Sequence, residues 1–290
     1  MIRSLPLLLL SSALLAQQTT APRPAEGPGT RPQDLVAQLA KSKVQVDLER
    51  ATVSIPVRMN APQNPIEFVL IHRMGKRHEA VLVTDVKASL IQGGLLLLGF
   101  REGRNATYKE KDPPPSREEI EKGADPLVVE PPKGMPVWFT VKYTDDAGKA
   151  HELAVEDLIV DLTTQRPLED AQWIYLGGRM APLYRNEPPV FVADYEGNLV
   201  SSIYFGSANH LVTIAHERAR EDENFWIDEK VCPPPGTEMT LTIHAREPAL
   251  VRERNARLAK ERAAGAASRP GAPIQAPPPP SGGEPPRRDK

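Results

Sequence analysis

Short runs of β-type residues, each closed by a turn signal, recur from Val44 to Ile243 and leave room for few long helices. Val44, Val46 and Leu48 alternate with polar residues, as do Val53, Ile55 and Val57. That period of two predicts two half-buried strands paired about Glu49-Arg50. Residues 68–72 and 79–83 read as the next pair, turning through Met74-Gly75-Lys76. Residues 137–143 and 151–155 form a third pair about Asp145-Asp146-Ala147-Gly148. Further strands are predicted over 172–176, 190–193, 199–205, 211–215 and 239–243. Because short turns join these runs more often than helices do, the expected class is α+β with a mainly antiparallel β-sheet core. One or two helices pack on it. The clearest spans 85–99, with Asp85 as N-cap and Gly99 as the terminating glycine. Gly93-Gly94 inside it costs about 1 kcal/mol per glycine against alanine, which marks a close approach of another element or a break.

The chain divides by composition. Residues 1–18 carry Arg3, a short apolar stretch and small residues at 13–16, the pattern of a signal peptide. The stretch is too short to span a bilayer comfortably, so no membrane span is expected once it is removed. Residues 19–34 read as a flexible linker and 35–246 as one α+β domain. Within the domain, 101–134 is a polar surface excursion, and Ser116 with Glu119 forms a capping-box pattern for a short helix. Residues 247–268 predict a charged helix, and 269–290 a disordered proline-rich tail. The protein is expected to be exported, periplasmic or extracellular. Its single cysteine, Cys232, allows no internal disulfide and reads as a passive thiol beside Pro233-Pro234-Pro235.

Charge is split. Residues 19–245 carry 25 basic and 33 acidic side chains, net −8, while 246–290 carry 10 and 5, net +5. The basic tail mixes both signs and has no interleaved aromatics, so it reads as a solubilising tail and no nucleic acid is expected. No phosphate-binding glycine loop, zinc-protease, paired-cysteine or serine-hydrolase phrase is present.

One phrase occurs twice. Gly75-Lys76-Arg77-His78-Glu79 is echoed by Gly148-Lys149-Ala150-His151-Glu152, each after a β-type run and each leading towards a Leu-Gly pair. The echo suggests internal duplication of a strand-turn-strand-helix unit, or a paired site. Three of the six histidines precede glutamate, His216-Glu217 being the third. Imidazole and carboxylate ligate zinc and similar ions, so His78, His151, Glu79 and Glu152 are the candidate ligands of a divalent metal. No other cofactor is expected. Neighbours on a strand point to opposite faces, so neither His-Glu pair chelates one ion alone. A site needs the two histidines to meet. The plainer reading makes His151 a core-edge histidine beside Leu153 and Val155, and each Gly-Lys a hairpin turn. Trp138, Trp173, Tyr175, Tyr195 and Trp226 offer an aromatic surface or, more plainly, packing.

The first copy of the phrase with Ala80-Val81-Leu82, the runs Val44-Gln45-Val46-Asp47 and Ile66-Glu67-Phe68, the segment from Leu95 to Gly99, Val192-Ala193-Asp194-Tyr195-Glu196-Gly197-Asn198-Leu199 and Pro234-Pro235-Gly236-Thr237-Glu238-Met239 resemble the YdjY-like domain over about 44–244. The resemblance implies an exported bacterial domain of planctomycete type and supplies no catalytic residues to carry over. Some members are similar to proteins encoded near redox components, but this chain lacks the cysteines for an iron–sulfur centre. Three functions are then in play. The first is a non-catalytic binding or assembly module of the bacterial envelope, its partner a protein or polymer. The second is a metal- or redox-accessory protein using His78 and His151. The third is a carboxylate-dependent hydrolase of envelope polymers acting through Glu79 or Glu152.

Overall fold

A computed structural model describes residues 32–267. The predicted signal peptide, most of the linker and the proline-rich tail lie outside the described residues. The chain opens with α1 (Pro32–Lys41), then the hairpin β1 (Gln45–Asp47) and β2 (Thr52–Met59). β3 (Phe68–His72), β4 (Ala80–Thr84) and α2 (Ala88–Leu97) follow. The excursion holds a ribbon of β5 (Thr107–Glu110) and β6 (Leu127–Glu130) around α3 (Arg117–Glu121), whose capping box joins Ser116 and Glu119. Next come β7 (Pro136–Thr144), β8 (Ala150–Ala154), β9 (Ile159–Asp161), β10 (Arg166–Pro167) and β11 (Gln172–Tyr175). The last part runs β12 (Met180–Ala181), β13 (Val190–Phe191), α4 (Val192–Glu196), β14 (Asn198–Ser201), β15 (Val212–Ala215), β16 (Phe225–Ile227), β17 (Glu238–His244) and α5 (Ala249–Ala267).

The core is a closed barrel, not the mainly antiparallel sheet with packed helices expected from the turn spacing. Eight strands follow one another around it in the order β2, β17, β7, β11, β15, β14, β3, β4. The ring closes where β4 returns to β2 through Arg58↔Val83 and Met59↔Leu82. The barrel is mixed, since β3–β4 and β14–β15 run parallel. The physical reason for the discrepancy is that alternation encodes a strand and its faces but not its partners. Five α-helices, most of them short, accompany it among the described residues.

Eight strands enclose an interior that side chains can fill. Val53, Ile55 and Val57 from β2, Leu241 and Ile243 from β17, and Phe139 and Val141 from β7 fill it. Trp173 of β11 meets Phe139 edge to face at 5.6 Å between ring centroids. Helix α2 packs with its paired glycines inward. A Cβ on Gly93 would stand 3.0 Å from Leu35 of α1, and one on Gly94 3.1 Å from Val53 of the barrel. Asp85 is not its cap. The backbone N–H of Ser89 instead donates to Asp194 of α4 at 2.9 Å. Helix α5 docks through Val251, Leu258 and the buried Arg254, whose Nε donates to Asp157 at 2.5 Å and whose Nη2 donates to the Leu168 carbonyl at 2.9 Å.

The suggested duplication is overturned. β7 and β8 form an antiparallel hairpin, whereas β3 and β4 lie parallel, Phe68 beside Ala80 and His72 beside Thr84. The two copies of the repeated phrase therefore connect strands in opposite senses.

Candidate functional site: a cationic cleft at the β3–β4 return

A parallel neighbour usually needs a crossover of about a dozen residues or more. Here residues 73–79 alone carry the chain back from the end of β3 to the start of β4. Lys76 of the return lies 5.8 Å over the Phe68 ring. Beneath it lies a small second core of Phe68, Ile71, Ala80 and Val83, with Phe205 packed against them. This explains why β4 is buried along its whole length.

Backbone contacts hold the return in place. Gly75 approaches Gly197 so closely that an added Cβ would stand 2.6 Å from the Gly197 carbonyl oxygen. The His72 N–H donates to that same oxygen at 2.7 Å, and the Arg73 N–H to the Thr84 carbonyl at 2.9 Å. The buried Asn60 donates both amide hydrogens, to the carbonyls of Arg77 at 2.5 Å and Ala80 at 2.7 Å. Gln63 and Asn64 donate their backbone N–H groups to the His78 carbonyl at 2.9 and 3.0 Å.

This rigid return divides its charged side chains. Lys76 turns to Glu67 and Glu79, donating at 2.8 and 3.0 Å. Burial lifts the Glu67 carboxyl above its ordinary range by more than the Lys76 bond lowers it. Burial acts the same way on Glu79, but the hydrogen bonds from Glu67 and Lys76 outweigh it and hold that carboxyl low. His78 Nε2 lies 3.1 Å from Glu79 Oε1.

Arg73 and Arg77 turn instead to a cleft of about 440 Å³, which His78 also lines, joined there by Arg58 from β2 and by Asn60 and Gln63. No carboxylate lines this cleft. Asp85 stands beside it, 3.0 Å from Arg58 and 3.7 Å from Arg73. The hydrogen bond from Arg58, ahead of the charges of Arg58 and Arg73, holds the Asp85 carboxyl below its usual range. One carboxylate thus orients two guanidiniums without neutralising the third. Guanidinium groups recognise carboxylate and phosphate through paired N–H bonds, so the arrangement is suited to an oxyanion.

The second copy of the phrase builds something else. Gly148 takes φ +79° with open space around it, the role of a turn glycine. Asp145 accepts from the backbone N–H groups of Ala147 and Lys149 at 3.0 and 2.9 Å. His151 Nε2 lies 2.8 Å from Asp145 Oδ2, and its ring stacks on Tyr143 at 4.7 Å. Glu152 faces Lys142 across the strand pair at 3.2 Å. The hairpin thus engages the histidine and the glutamate of the phrase within its own strands.

The structure therefore places the predicted site residues apart. His78 and Glu79 share one short turn, whereas His151 and Glu152 sit on β8. Strands β2, β17 and β7 lie between β4 and β8, each step being about 4.8 Å. The two histidines line different clefts. Among the described residues no group of three or more histidine, cysteine, aspartate or glutamate side chains could hold a metal ion. The third pair is structural as well: His216 Nδ1 accepts from the Arg218 N–H at 3.2 Å and caps a short turn. Burial pushes the Cys232 thiol up to about 12, as fits a passive thiol. Trp173 and Tyr175 are fully buried, so no continuous surface forms from the five aromatics.

Sequence reasoning missed the arginines. The available signal was local, since Arg73, Lys76, Arg77 and His78 put four basic side chains into six residues of a net-acidic domain.

Fold and site together define a closed, mixed eight-stranded barrel with a cationic cleft at a short parallel return. The family model of the YdjY domain matches residues 44–244, and the chain belongs to that family. The match covers the barrel and the cleft and stops before α5. No curated protein and no solved structure is significantly similar to the chain.

Proposed function

We propose that this protein is an exported, non-catalytic binding module of the bacterial envelope, and that its ligand is an anionic group of an envelope polymer or protein. The observation that carries the reading is the cleft itself. Arg58, Arg73, Arg77 and His78 line it without a carboxylate, in a domain whose formal charge is strongly negative. A positive cleft on a negative body concentrates an anionic ligand there. Rigid anchoring of the return by Asn60 and Gly75 keeps the guanidiniums arranged before binding, which lowers the ordering cost.

The test is calorimetric titration of the purified protein with tripolyphosphate and with an oligogalacturonate at low salt. Binding is expected to weaken at least about tenfold, the equivalent of 1.4 kcal/mol, when Arg73 and Arg77 are both replaced by alanine. It is expected to weaken with added salt as well, because the cleft is open to solvent. Failure of both probes to bind, or equal binding by the double variant, would contradict the reading.

One observation speaks for the hydrolase instead. Glu67 and Glu79 share Lys76, and their carboxyls are displaced in opposite directions, a pattern that acid–base pairs also show. That reading requires polymer cleavage that disappears in folded Glu79→Gln protein.

A further inference from the structure

On its other flank the return borders a second pocket, of about 380 Å³. Lys76 lines it from the return, with Phe68 and Phe205 as an apolar wall. The two rings stack at 5.0 Å and 8°. Asn198, Asn209, Glu196, Ser207 and His210 complete the lining.

Two polar atoms here are buried without a partner, Asn198 Oδ1 and His210 Nε2. His210 is 1 % exposed and meets Phe205 edge to face at 5.8 Å. Burial pushes its imidazole down to about 4, so the ring is neutral near neutral pH. Buried polar groups in folded proteins are normally paired, and orphans that line a pocket call for a ligand's complementary groups. Asn209 is already engaged, donating to Glu196 Oε1 at 2.6 Å and accepting from Arg179 at 2.5 Å. It therefore holds Glu196 in position, with Oε1 taken and Oε2 turned to no donor.

The charge balance differs from that of the cationic cleft. Lys76 is compensated by Glu67 and Glu79, and the lining carries one cation and one carboxylate. A charged ligand gains nothing here. The acceptors around the pocket are Glu196 Oε2, the Ser207 hydroxyl, which can do either, and the buried, unpartnered Asn198 Oδ1. The complementary ligand is uncharged, rich in hydroxyl donors, and has a flat apolar face to lay against Phe205. Sites of this size, with an apolar wall and a few convergent polar groups, fit small ligands.

We propose that this pocket binds one ring of a neutral saccharide, stacked by its C–H face on Phe205 and hydrogen-bonded to Asn198, Glu196 and His210. The site is separate from the anion cleft and does not depend on it.

The experiment is calorimetric titration of the purified full chain with chitotriose, maltotriose and mannotriose at low and at high salt. At least one trisaccharide is expected to bind equally at both salts. Phe205→Ala is expected to weaken it at least about tenfold. Because Phe205 also covers Phe68, a second variant is needed. Ser207→Trp places a large side chain at the exposed rim, fills the pocket without touching the core, and is expected to abolish binding with the melting temperature unchanged. Arg77→Ala is expected to leave it unchanged. The proposal is overturned if none of the three binds at up to about 10 mM, a limit weaker than about −3 kcal/mol. It is also overturned if binding persists in folded Ser207→Trp protein, or if it falls with salt and with Arg77→Ala, which would put the sugar in the cationic cleft.

Discussion

The same five-residue phrase does two different jobs in this molecule. In the first copy Gly75 is a contact glycine, pressed against the Gly197 backbone, and the residues after it form a short turn over the barrel wall. In the second copy Gly148 is a conformational glycine at φ +79° with nothing near it, and His151 and Glu152 lie on a strand. The first copy pairs Glu79 with Lys76 and His78 and leaves Arg77 facing a cleft that His78 also lines. The second ties its histidine to Asp145 and its glutamate to Lys142. The lesson is that a phrase acquires its role from the strand pairing around it. A parallel pair forces the chain to return across a face, and a return has side chains to spare. A hairpin does not.

The two copies differ most at their glycines. Gly75→Ala must push the Gly197 backbone away and is expected to cost about 3 kcal/mol. Gly148→Ala meets no atom and carries only left-handed strain, about 1 kcal/mol. Urea denaturation of both variants checks this, and equal losses would mean that the two glycines do the same work.

A pH titration of stability sharpens the picture where the return meets its neighbours. His210 has its imidazole pushed from 6.5 down to about 4 by burial. The unfolded chain therefore takes up a proton that the folded chain refuses. The stability this confers is complete above about pH 6.5 and is lost as pH falls towards 4, a change of about 3 kcal/mol. Thermal unfolding across that range is expected to show the slope, and His210→Leu to flatten it. An unchanged slope in the variant would place the proton elsewhere.

Asn60 comes next. Asn60→Ala removes the donors to the carbonyls of Arg77 and Ala80 and is expected to cost about 2 kcal/mol, with weaker anion binding as the return loosens. Unaltered binding would mean that the return needs no such anchor. The smallest contrast lies at the histidines themselves. His151→Ala removes a hydrogen bond and a ring stack and is expected to cost about 1 kcal/mol. His78 is half exposed, and its alanine variant is expected to cost no more than about 0.5 kcal/mol. The reverse order would invert the assignment of roles.

Much of the wall of the barrel was legible in the sequence. The alternation of Val53, Ile55 and Val57, and of Met239, Leu241 and Ile243, marks the faces that point inward. The unbroken apolar run 80–83 marks a strand buried on both sides. What alternation does not encode is which strand lies beside which. Closure rests on Arg58↔Val83 and Met59↔Leu82, positions that no local pattern links. The parallel sense of β3 and β4 was hidden because Met74-Gly75-Lys76 looks like any hairpin turn. Reading it so put Glu79 at the start of a strand and made Gly75-Lys76 part of a hairpin turn. The basic run was visible, but Arg58 joins it from another strand, and only the closed ring brings them together. The pocket beside Phe205 was still less visible, because its lining comes from β3, the return, and residues 196–210.

The first copy of the phrase lines a cationic cleft free of carboxylates, whereas the second lines a cleft that Asp85, Glu152 and Glu238 also line. The most direct test of this difference is the affinity for tripolyphosphate of two matched charge removals, Arg77→Ala in the first copy and Lys149→Ala in the second. A loss of at least about tenfold is expected for Arg77→Ala and of less than about twofold for Lys149→Ala. Equal losses in the two variants would show that the anion reads overall charge and would contradict the cleft.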